Sequence, residues 1–299
     1  MTPRYDDPRL ELAVQAASSA GPLTHLSARE LGIRRLGGIE QLAELRWLDL
    51  SGNPLARVVE LGANTKLRRL ILKNTDIATL RGLDGLAELE DLDLYSSRVI
   101  AVPELAGLPL RSLDLGLCVV PDLDPLATLT RLESLTLGNP RLHVPRRTLF
   151  SSPDPVHLHI SPIQDLGALR QLRLYGLRLP SATKLAQLVN LEELTLDLCS
   201  FADELREFPE LPRLELLSLV DCEVPDLHAI ATLPRLRTLV LDEAKLTDIK
   251  PLLACPSLEQ LSLRAVEVED RNRLDRGIER LREHPRLLEL RLDNQLISL

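Results

Sequence analysis

The chain repeats the pattern Leu-x-x-Leu-x-Leu at intervals of about 22 residues along most of its length. Copies begin at Leu45, Leu67, Leu89, Leu110, Leu132, Leu169, Leu191, Leu214, Leu236, Leu258 and Leu287. A single unit of this length cannot bury its apolar side alone, so the units stack on one another into a solenoid. Hydrophobic residues make up 44% of the chain but aromatic residues only 2%, so leucine has to form most of the interior.

A second pattern fills the segments between these copies. It places apolar residues three apart, as in Ile33-x-x-Leu36-x-Gly-Ile39-x-x-Leu42. A spacing of three fits short 3-10 turns, whose side chains repeat at that interval. The alternation of short strands and tight turns predicts a parallel sheet on one side of the stack and short helical turns on the other.

The chain resembles the leucine-rich repeat family, specifically the 22-residue type of bacterial internalins and phosphatase-regulatory repeat proteins. The segment Leu45-Arg-Trp-Leu48-Asp-Leu50-Ser-Gly-Asn53 carries the match, which extends over residues 23–299. The resemblance implies an α/β solenoid: a right-handed horseshoe with a concave parallel β-sheet and short 3-10 or helical turns on the convex side. It says little about function, because the family's leucines are structural.

The regular repeat is interrupted or extended at three places. Residues 1–22 are expected to form an N-terminal helical cap, with Asp7 and Pro8 starting a helix over 9–19. Residues 23–299 form the repeat domain, in which the proline-rich stretch of about 140–165 is expected to be an irregular loop. A helix over 270–283 is predicted within a C-terminal helix and capping repeat of about 267–299.

The motif content gives no support for an enzyme. Phosphate-binding, nucleophile-elbow, metalloprotease and dinucleotide-binding motifs are all missing from the sequence. Cys118, Cys199 and Cys222 each follow the third leucine of their unit by three residues, and Asn53 occupies the same place in its own unit. In the family that place holds a buried Asn or Cys that contacts the backbone of the turn. We therefore expect structural thiols, no catalytic residue, no metal and no cofactor.

Composition favours a cytoplasmic bacterial protein. The net charge is −8, with 44 acidic and 36 basic side chains, which disfavours a surface that follows a nucleic-acid backbone. The sequence contains no apolar run of the roughly 18–20 residues that a membrane span needs. The N-terminus shows no secretion signal, scattered cysteines fit a reducing compartment, and the preference for arginine over lysine suggests a GC-rich genome.

The variable positions of the repeat project from the concave face and define two candidate partner-binding patches. The N-terminal patch is acidic and contains the only tryptophan: Trp47, Asp49, Arg69, Lys73, Asp91, Asp93, Tyr95 and Asp114. Tryptophan, tyrosine and arginine often dominate the energetics of interfaces. The central patch assumes that residues 157–160 supply a strand of the same sheet: His157, His159, Gln171, Arg173 and Tyr175.

These observations favour a non-enzymatic scaffold that binds a protein partner on its concave face, as a regulatory subunit or an inhibitor or immunity-type subunit would. The acidic patch suggests a partner with a basic surface, and neither nucleic acid nor a membrane is expected to bind. An internalin-like adhesion or structural role is the alternative. A metal-dependent activity at His157 and His159 is a third hypothesis, because two imidazoles two residues apart on a strand share one face.

Overall fold

The computed structural model describes residues 5–18, 21–138, 156–157, 159–203, 205, 207–293 and 295–298. For residues 156, 157, 295 and 298 it describes the backbone only. The chain divides into two compact units, residues 1–150 and residues 151–299. Most of the segment predicted as an irregular loop, residues 139–155, lies outside the described residues, as do residues 1–4 and 19–20 of the predicted cap.

The first unit begins with helix α1 (Pro8–Ala17), which agrees with the helix predicted over residues 9–19. Its N-cap is Asp7, whose carboxylate accepts hydrogen bonds from the backbone N–H groups of Arg9 and Arg34. Hydrogen bonds to the charged form hold the pKa of Asp7 below its ordinary value, although burial acts to raise that pKa. Leu10 and Val14 are the buried residues of the helix. The assignment of residues 1–22 as a separate cap stays a prediction.

Short parallel strands follow in strict register and form the first-unit sheet. They are β1 (His25–Ser27), β2 (Trp47–Asp49), β3 (Arg69–Ile71), β4 (Asp91–Asp93), β5 (Ser112–Leu115) and β6 (Ser134–Gly138). Each strand pairs with the next in parallel. The second leucine of every unit is aligned with that of its neighbour, as Leu48 is with Leu70. These leucines are buried, so the repeat spacing defines both the strands and their register.

The connecting segments of the first unit form the predicted 3-10 turns. They are Ile39–Gln41, Val59–Ala63, Leu83–Gly85, Pro103–Leu105 and Asp124–Thr128. Each carries one inward apolar residue, such as Ile39 or Leu83, with little or no exposed surface. The apolar spacing of three therefore gives the stack its second buried layer.

The turn after each sheet strand requires a residue with a left-handed backbone. Gly52 and Gly176 meet this need at no steric cost, with φ of 70° and 62°. Leu117 and Leu198 occupy the corresponding places with φ of 61° and 59°, where a Cβ atom costs about 1–2 kcal/mol. The stack therefore imposes the turn even where the local sequence opposes it.

The second unit contains a longer sheet built on the same principle. Its strands are β8 (Gln171–Tyr175), β10 (Glu193–Thr195), β12 (Leu216–Ser218), β14 (Thr238–Val240), β16 (Gln260–Ser262), β18 (Glu289–Leu292) and β19 (Gln295–Ser298). All pair in parallel except β19, which pairs with β18 in antiparallel fashion. We refer to these strands as the second-unit sheet.

The second unit also forms two small three-stranded parallel sheets in its connecting segments. One contains β7 (Val156–His157), β9 (Leu177–Leu179) and β11 (Ser200–Phe201). The other contains β13 (Glu223–Val224), β15 (Lys245–Leu246) and β17 (Glu267–Val268). The spacing of the leucines does not reveal these strands, because they are short: β9 buries two side chains, and β13 and β15 bury one each.

The prediction that residues 157–160 form a strand of the concave sheet was wrong. Strand β7 ends at His157 and pairs with β9, placing His157 opposite Arg178. Ile160, Ile163, Leu166 and Leu169 then follow at intervals of three and are all buried. That spacing belongs to a connecting segment, and a 3-10 turn indeed spans Ser161–Ile163.

Fuller helices appear only late among the described connecting segments. Helix α2 is one short turn (His228–Ala231), and helix α3 (Arg271–Leu281) confirms the helix predicted over residues 270–283. Asp270 caps α3 by accepting a hydrogen bond from the backbone N–H of Arg273. The sequence also predicts Leu274, Ile278 and Leu281 as the inward residues of this helix; Leu274 and Leu281 are buried, and Ile278 is half-buried. The helix fills the extra length of the unit that begins at Leu258.

Candidate protein-binding face

The register of the first-unit sheet aligns its outward side chains in two rows. The Trp47 row, as we call it, contains His25, Trp47, Arg69, Asp91, Ser112 and Ser134. The Asp49 row contains Ser27, Asp49, Ile71, Asp93, Asp114 and Thr136. Neighbouring members of a row are about 4.8 Å apart, the spacing of paired strands. All eight residues of the predicted N-terminal patch therefore lie in these rows or in the turn directly after them.

The carboxylates of the Asp49 row are engaged by the chain itself. Asp49, Asp93 and Asp114 each accept a hydrogen bond from the backbone N–H two residues ahead, at 2.9, 3.2 and 2.8 Å. Asp49 is buried and also accepts a hydrogen bond from the Ser51 hydroxyl at 2.5 Å. These aspartates hold the turn that ends each strand, which is a structural role that the sequence patch did not anticipate.

Basic side chains neutralise two of these carboxylates. Arg29 forms an ion pair with Asp49 at 3.6 Å, and the Lys73 ammonium lies 2.8 Å from Asp93. The hydrogen bond to Asp93 raises the pKa of Lys73, so this side chain stays charged. Lys73 also lies 6.0 Å from the centre of the Tyr95 ring. The patch is consequently less acidic than its residue types suggest.

In the Trp47 row, the His25 ring is hydrogen-bonded to the Thr24 hydroxyl at 2.9 Å, whereas the side chains that follow it are largely unengaged. Trp47 is half-buried, and its ring centre lies 6.3 Å from that of His25. Within the part of the chain that the structure describes, the side chains of Trp47, Arg69, Asp91 and Ser112 make no hydrogen bond or ion pair. Burial raises the pKa of Asp91, which is half-buried. This row therefore presents an aromatic ring, a cation, an anion and a hydroxyl side by side.

The Trp47 row begins one repeat earlier than the sequence patch did. His25 lies 22 residues before Trp47, and the two residues are paired in register. The segment Leu23-Thr24-His25-Leu26-Ser27-Ala28 has alanine in place of the third leucine of the pattern, so it is not among the copies counted from Leu45 onward. The 22-residue spacing back from Trp47 is the signal that could have placed His25 in the row.

The structure does not assemble the predicted central patch on one sheet. Arg173 and Tyr175 lie on β8 of the second-unit sheet, and Arg173 forms an ion pair with Glu193 at 3.1 Å. His159 is exposed in the bend after β7, where its Nδ1 accepts from the backbone N–H of Ser161 at 3.4 Å. The side chain of His157 is outside the described set. The two histidines thus do not follow one another along a strand, which was the basis of the metal hypothesis.

The outward face of the second-unit sheet is held by bonds between repeats. Asp197 accepts hydrogen bonds from the Ser218 hydroxyl at 2.6 Å and from the backbone N–H of Val220 at 3.1 Å. Asp242 repeats the arrangement one unit further on, accepting from the Ser262 hydroxyl at 2.6 Å. Asp242 also accepts two hydrogen bonds from Arg264, one from its backbone N–H at 3.0 Å and one from its guanidinium at 2.7 Å. These carboxylates join neighbouring repeats.

The cysteines occupy the interior as structural thiols. The Sγ atoms of Cys118, Cys199 and Cys222 donate to the backbone carbonyls of Leu94, Leu174 and Leu196 at 3.2, 3.5 and 3.0 Å. Burial raises the pKa of Cys199 to about 12 and also raises that of Cys222, so neither is a ready nucleophile. Among the described residues, no group of three His, Cys, Asp or Glu side chains is arranged to hold a metal ion.

Known structures share this architecture. An internalin, InlF, of Listeria monocytogenes is similar with a TM-score of 0.65 and 20% identity, over 97% of this chain and 96% of that one. A leucine-rich repeat protein of Leptospira interrogans is 26% identical, with a TM-score of 0.62 over 88% of this chain and 70% of that one. The repeat pattern, the stacked parallel strands and these similarities define the class: the chain is a leucine-rich repeat protein with an internalin-like solenoid fold.

A plant structure extends the comparison to a different kingdom. The leucine-rich repeat ectodomain of the membrane receptor kinase GASSHO1/SCHENGEN3 of Arabidopsis thaliana is 20% identical, with a TM-score of 0.62. The match covers 98% of this chain and 40% of that ectodomain, which was solved in complex with CASPARIAN STRIP INTEGRITY FACTOR 2. No family model and no curated protein matches the sequence. In the ranges that the structure describes, no helix is long and apolar enough to cross a membrane.

Proposed function

We propose that this chain is a protein-interaction scaffold that binds a protein partner through the Trp47 row. The observation that carries the proposal is the contrast between the two rows of the first-unit sheet. The carboxylates of the Asp49 row are engaged by backbone N–H groups and basic side chains. Trp47, Arg69 and Asp91, by comparison, make no hydrogen bond or ion pair within the described chain. Indole and guanidinium groups are among the side chains that most often dominate binding energy.

The arrangement suits recognition better than catalysis. Among the described residues, one exposed hydroxyl–imidazole hydrogen bond lies on this face, between Thr24 Oγ1 and His25 Nδ1 at 2.9 Å, no group is arranged to hold a metal ion, and the cysteines are buried. Parallel strands supply a rigid platform on which side chains from successive repeats stand at fixed spacing. The repeat ectodomain solved with its bound factor is one instance of this use of the fold. The likeness to InlF shows the fold alone, so it does not favour an adhesion role for this chain.

The remaining parts of the proposal rest on composition. A net charge of −8 and the exposed acidic side chains favour a partner with a basic surface. The preference for arginine over lysine and the four free cysteines are consistent with a protein of the bacterial cytoplasm. A regulatory or inhibitor-type subunit fits a scaffold without its own chemistry.

The test compares two variants of the same row position in different units. The intact protein, Trp47→Ala and Thr238→Ala are immobilised and used to capture partners from a lysate of the source cell. Thr238 is the matched control, because it occupies the same place in its repeat as Trp47 does. Thr238 starts strand β14 two residues after Leu236, and Trp47 starts strand β2 two residues after Leu45. We expect a partner that Thr238→Ala retains and that the purified Trp47→Ala protein binds at least about tenfold more weakly. Equal binding of that partner by both variants would remove the Trp47 row as the site.

A further inference from the structure

Asp91 is a carboxylate of the first-unit sheet face to which no described residue donates a hydrogen bond. Asp49, Asp93 and Asp114 each accept a backbone N–H within their own turn. Asp91 is half-buried, yet no hydrogen bond or ion pair reaches it from any described residue. A carboxylate that has lost part of its water shell without gaining a donor is under-compensated. It gains more from a bound cation than a fully hydrated carboxylate does.

The neighbours of Asp91 along the Trp47 row decide where such a cation would sit. Arg69 is its register partner on β3; burial raises the pKa of Asp91 more than the nearby charges of Arg69 and Arg111 lower it, and neither arginine forms an ion pair with Asp91. Ser112 is its register partner on β5, and the half-buried Ser112 hydroxyl is also unengaged within the described residues. The Asp91 carboxylate and the Ser112 hydroxyl therefore offer acceptor oxygens on two neighbouring strands about 4.8 Å apart.

We propose that the partner places an arginine side chain against Asp91 and Ser112, on the outward face of the sheet. This inference rests on the proposed function and names the chemistry of the group that the Trp47 row receives. A guanidinium carries five N–H donors in a planar fork, so one group can donate to the carboxylate and to the hydroxyl on the neighbouring strand. An ammonium is more strongly hydrated and has no such fork, and it is less suited to a half-buried site. The negative charge of the chain favours the approach of a cationic segment.

The site can be tested without the partner by using a small probe. N-acetyl-arginine amide is titrated into the purified protein, and the assigned backbone amide signals of Asp91 and Ser112 are followed by NMR. N-acetyl-citrulline amide, which has the same shape without the charge, is the matched control probe. We expect saturable shifts with the arginine probe alone, and an affinity about tenfold lower in Asp91→Asn. Asp84→Asn removes one exposed carboxylate from a connecting segment and should leave the affinity unchanged.

Three results would overturn the inference. They are equal shifts with the citrulline probe, an Asp91→Asn protein that binds the arginine probe as the intact protein does, and tighter binding of N-acetyl-lysine amide. The spectra themselves report whether the variants are folded. Measuring the affinity of each variant for the captured partner distinguishes a failure of the arginine inference from a failure of the proposed function. If Trp47→Ala weakens binding of the captured partner while Asp91→Asn does not, the scaffold proposal stands and the arginine inference is wrong.

Discussion

The two sheets share one repeat but use their outward side chains differently. On the first-unit sheet, Trp47, Arg69 and Asp91 stand in one row without hydrogen bonds or ion pairs among the described residues. At the equivalent positions of the second-unit sheet, Glu193 pairs with Arg173 at 3.1 Å and Thr238 donates to Gln260 at 3.3 Å. Trp47, Arg69 and Asp91 are therefore available to a partner, whereas Glu193 and Thr238 at the same backbone positions are bonded to neighbouring repeats. Gln171 and Leu216, also at these positions, make no such bond among the described residues.

The interior turn position shows a second difference between the units. In the first unit the Asn53 side chain accepts from the backbone N–H groups of Leu31 and Ile33 and donates to the carbonyls of Ala28 and Leu50. In the second unit Cys222 fills the same position, and its single S–H is directed at the Leu196 carbonyl at 3.0 Å, with the Val220 carbonyl farther away at 3.7 Å. The amide satisfies donors and acceptors of two repeats, whereas the thiol is a weak donor of one proton. The cost of losing each should differ accordingly.

The largest effect is expected at this interior position. Asn53→Ala leaves the N–H groups of Leu31 and Ile33 without their acceptor, and it should lower the free energy of unfolding by about 3 kcal/mol or more. Cys222→Ala removes one weak donor and a small buried side chain, so about 1 kcal/mol is expected. Urea unfolding followed by circular dichroism measures both. If the two variants lose similar stability, the polar position is not used differently in the two units.

An intermediate effect should separate engaged from unengaged carboxylates. Asp242→Ala removes the acceptor of Ser262 and Arg264, and a loss of about 2 kcal/mol is expected because charge-assisted bonds are broken at a nearly buried site. Asp91→Ala removes a carboxylate that no described donor reaches, so the change should stay within about 0.5 kcal/mol. Thermal melts of the two variants provide the comparison. A strongly destabilised Asp91→Ala protein would show that Asp91 is structural, contrary to the site proposed above.

The sequence predicted those features that follow from burial. The second leucine of each repeat is buried and aligned with its neighbour, so the 22-residue spacing specifies the sheet register directly. Cys118, Cys199 and Cys222 occupy the same place in their repeats as Asn53 does in its own. That place predicted that their side chains contact the backbone. Helix α3 was foreseen because Leu274 and Leu281 are separated by a helical interval.

The errors arose where the leucine spacing gave too little information. The alternation His157-Leu158-His159-Ile160 has the period of a strand, but Ile160 also starts the run of apolar residues three apart that ends at Leu169. The longer pattern decides the structure, because it buries more apolar residues. Sequence also could not tell that Asp49 and Asp93 would be engaged, since the charge state of a patch depends on which side chains the turns bring together.

The smallest effect concerns two carboxylates of the second-unit sheet that respond to pH in opposite directions. Burial raises the pKa of Asp197 above its ordinary value of 3.8, despite hydrogen bonds from Ser218 and Val220. Burial also acts on Asp242, but its bonds from Ser262 and Arg264 outweigh burial and lower the pKa. A raised folded-state pKa costs stability as the pH rises through it, whereas a lowered one contributes stability that is lost as the pH falls through it.

Replacement by asparagine tests these signs, because the amide oxygen can still accept the hydroxyl and backbone bonds. Asp197→Asn should be more stable than the intact protein at pH 7, by less than about 1 kcal/mol, and this gain should vanish below the ordinary carboxyl value. Asp242→Asn should be less stable at pH 7, because Arg264 loses its anionic partner, and its deficit should close only at still lower pH. Urea midpoints at several pH values give both differences. If both differences have the same sign at pH 7, the bond from the Arg264 guanidinium does not set the balance at Asp242.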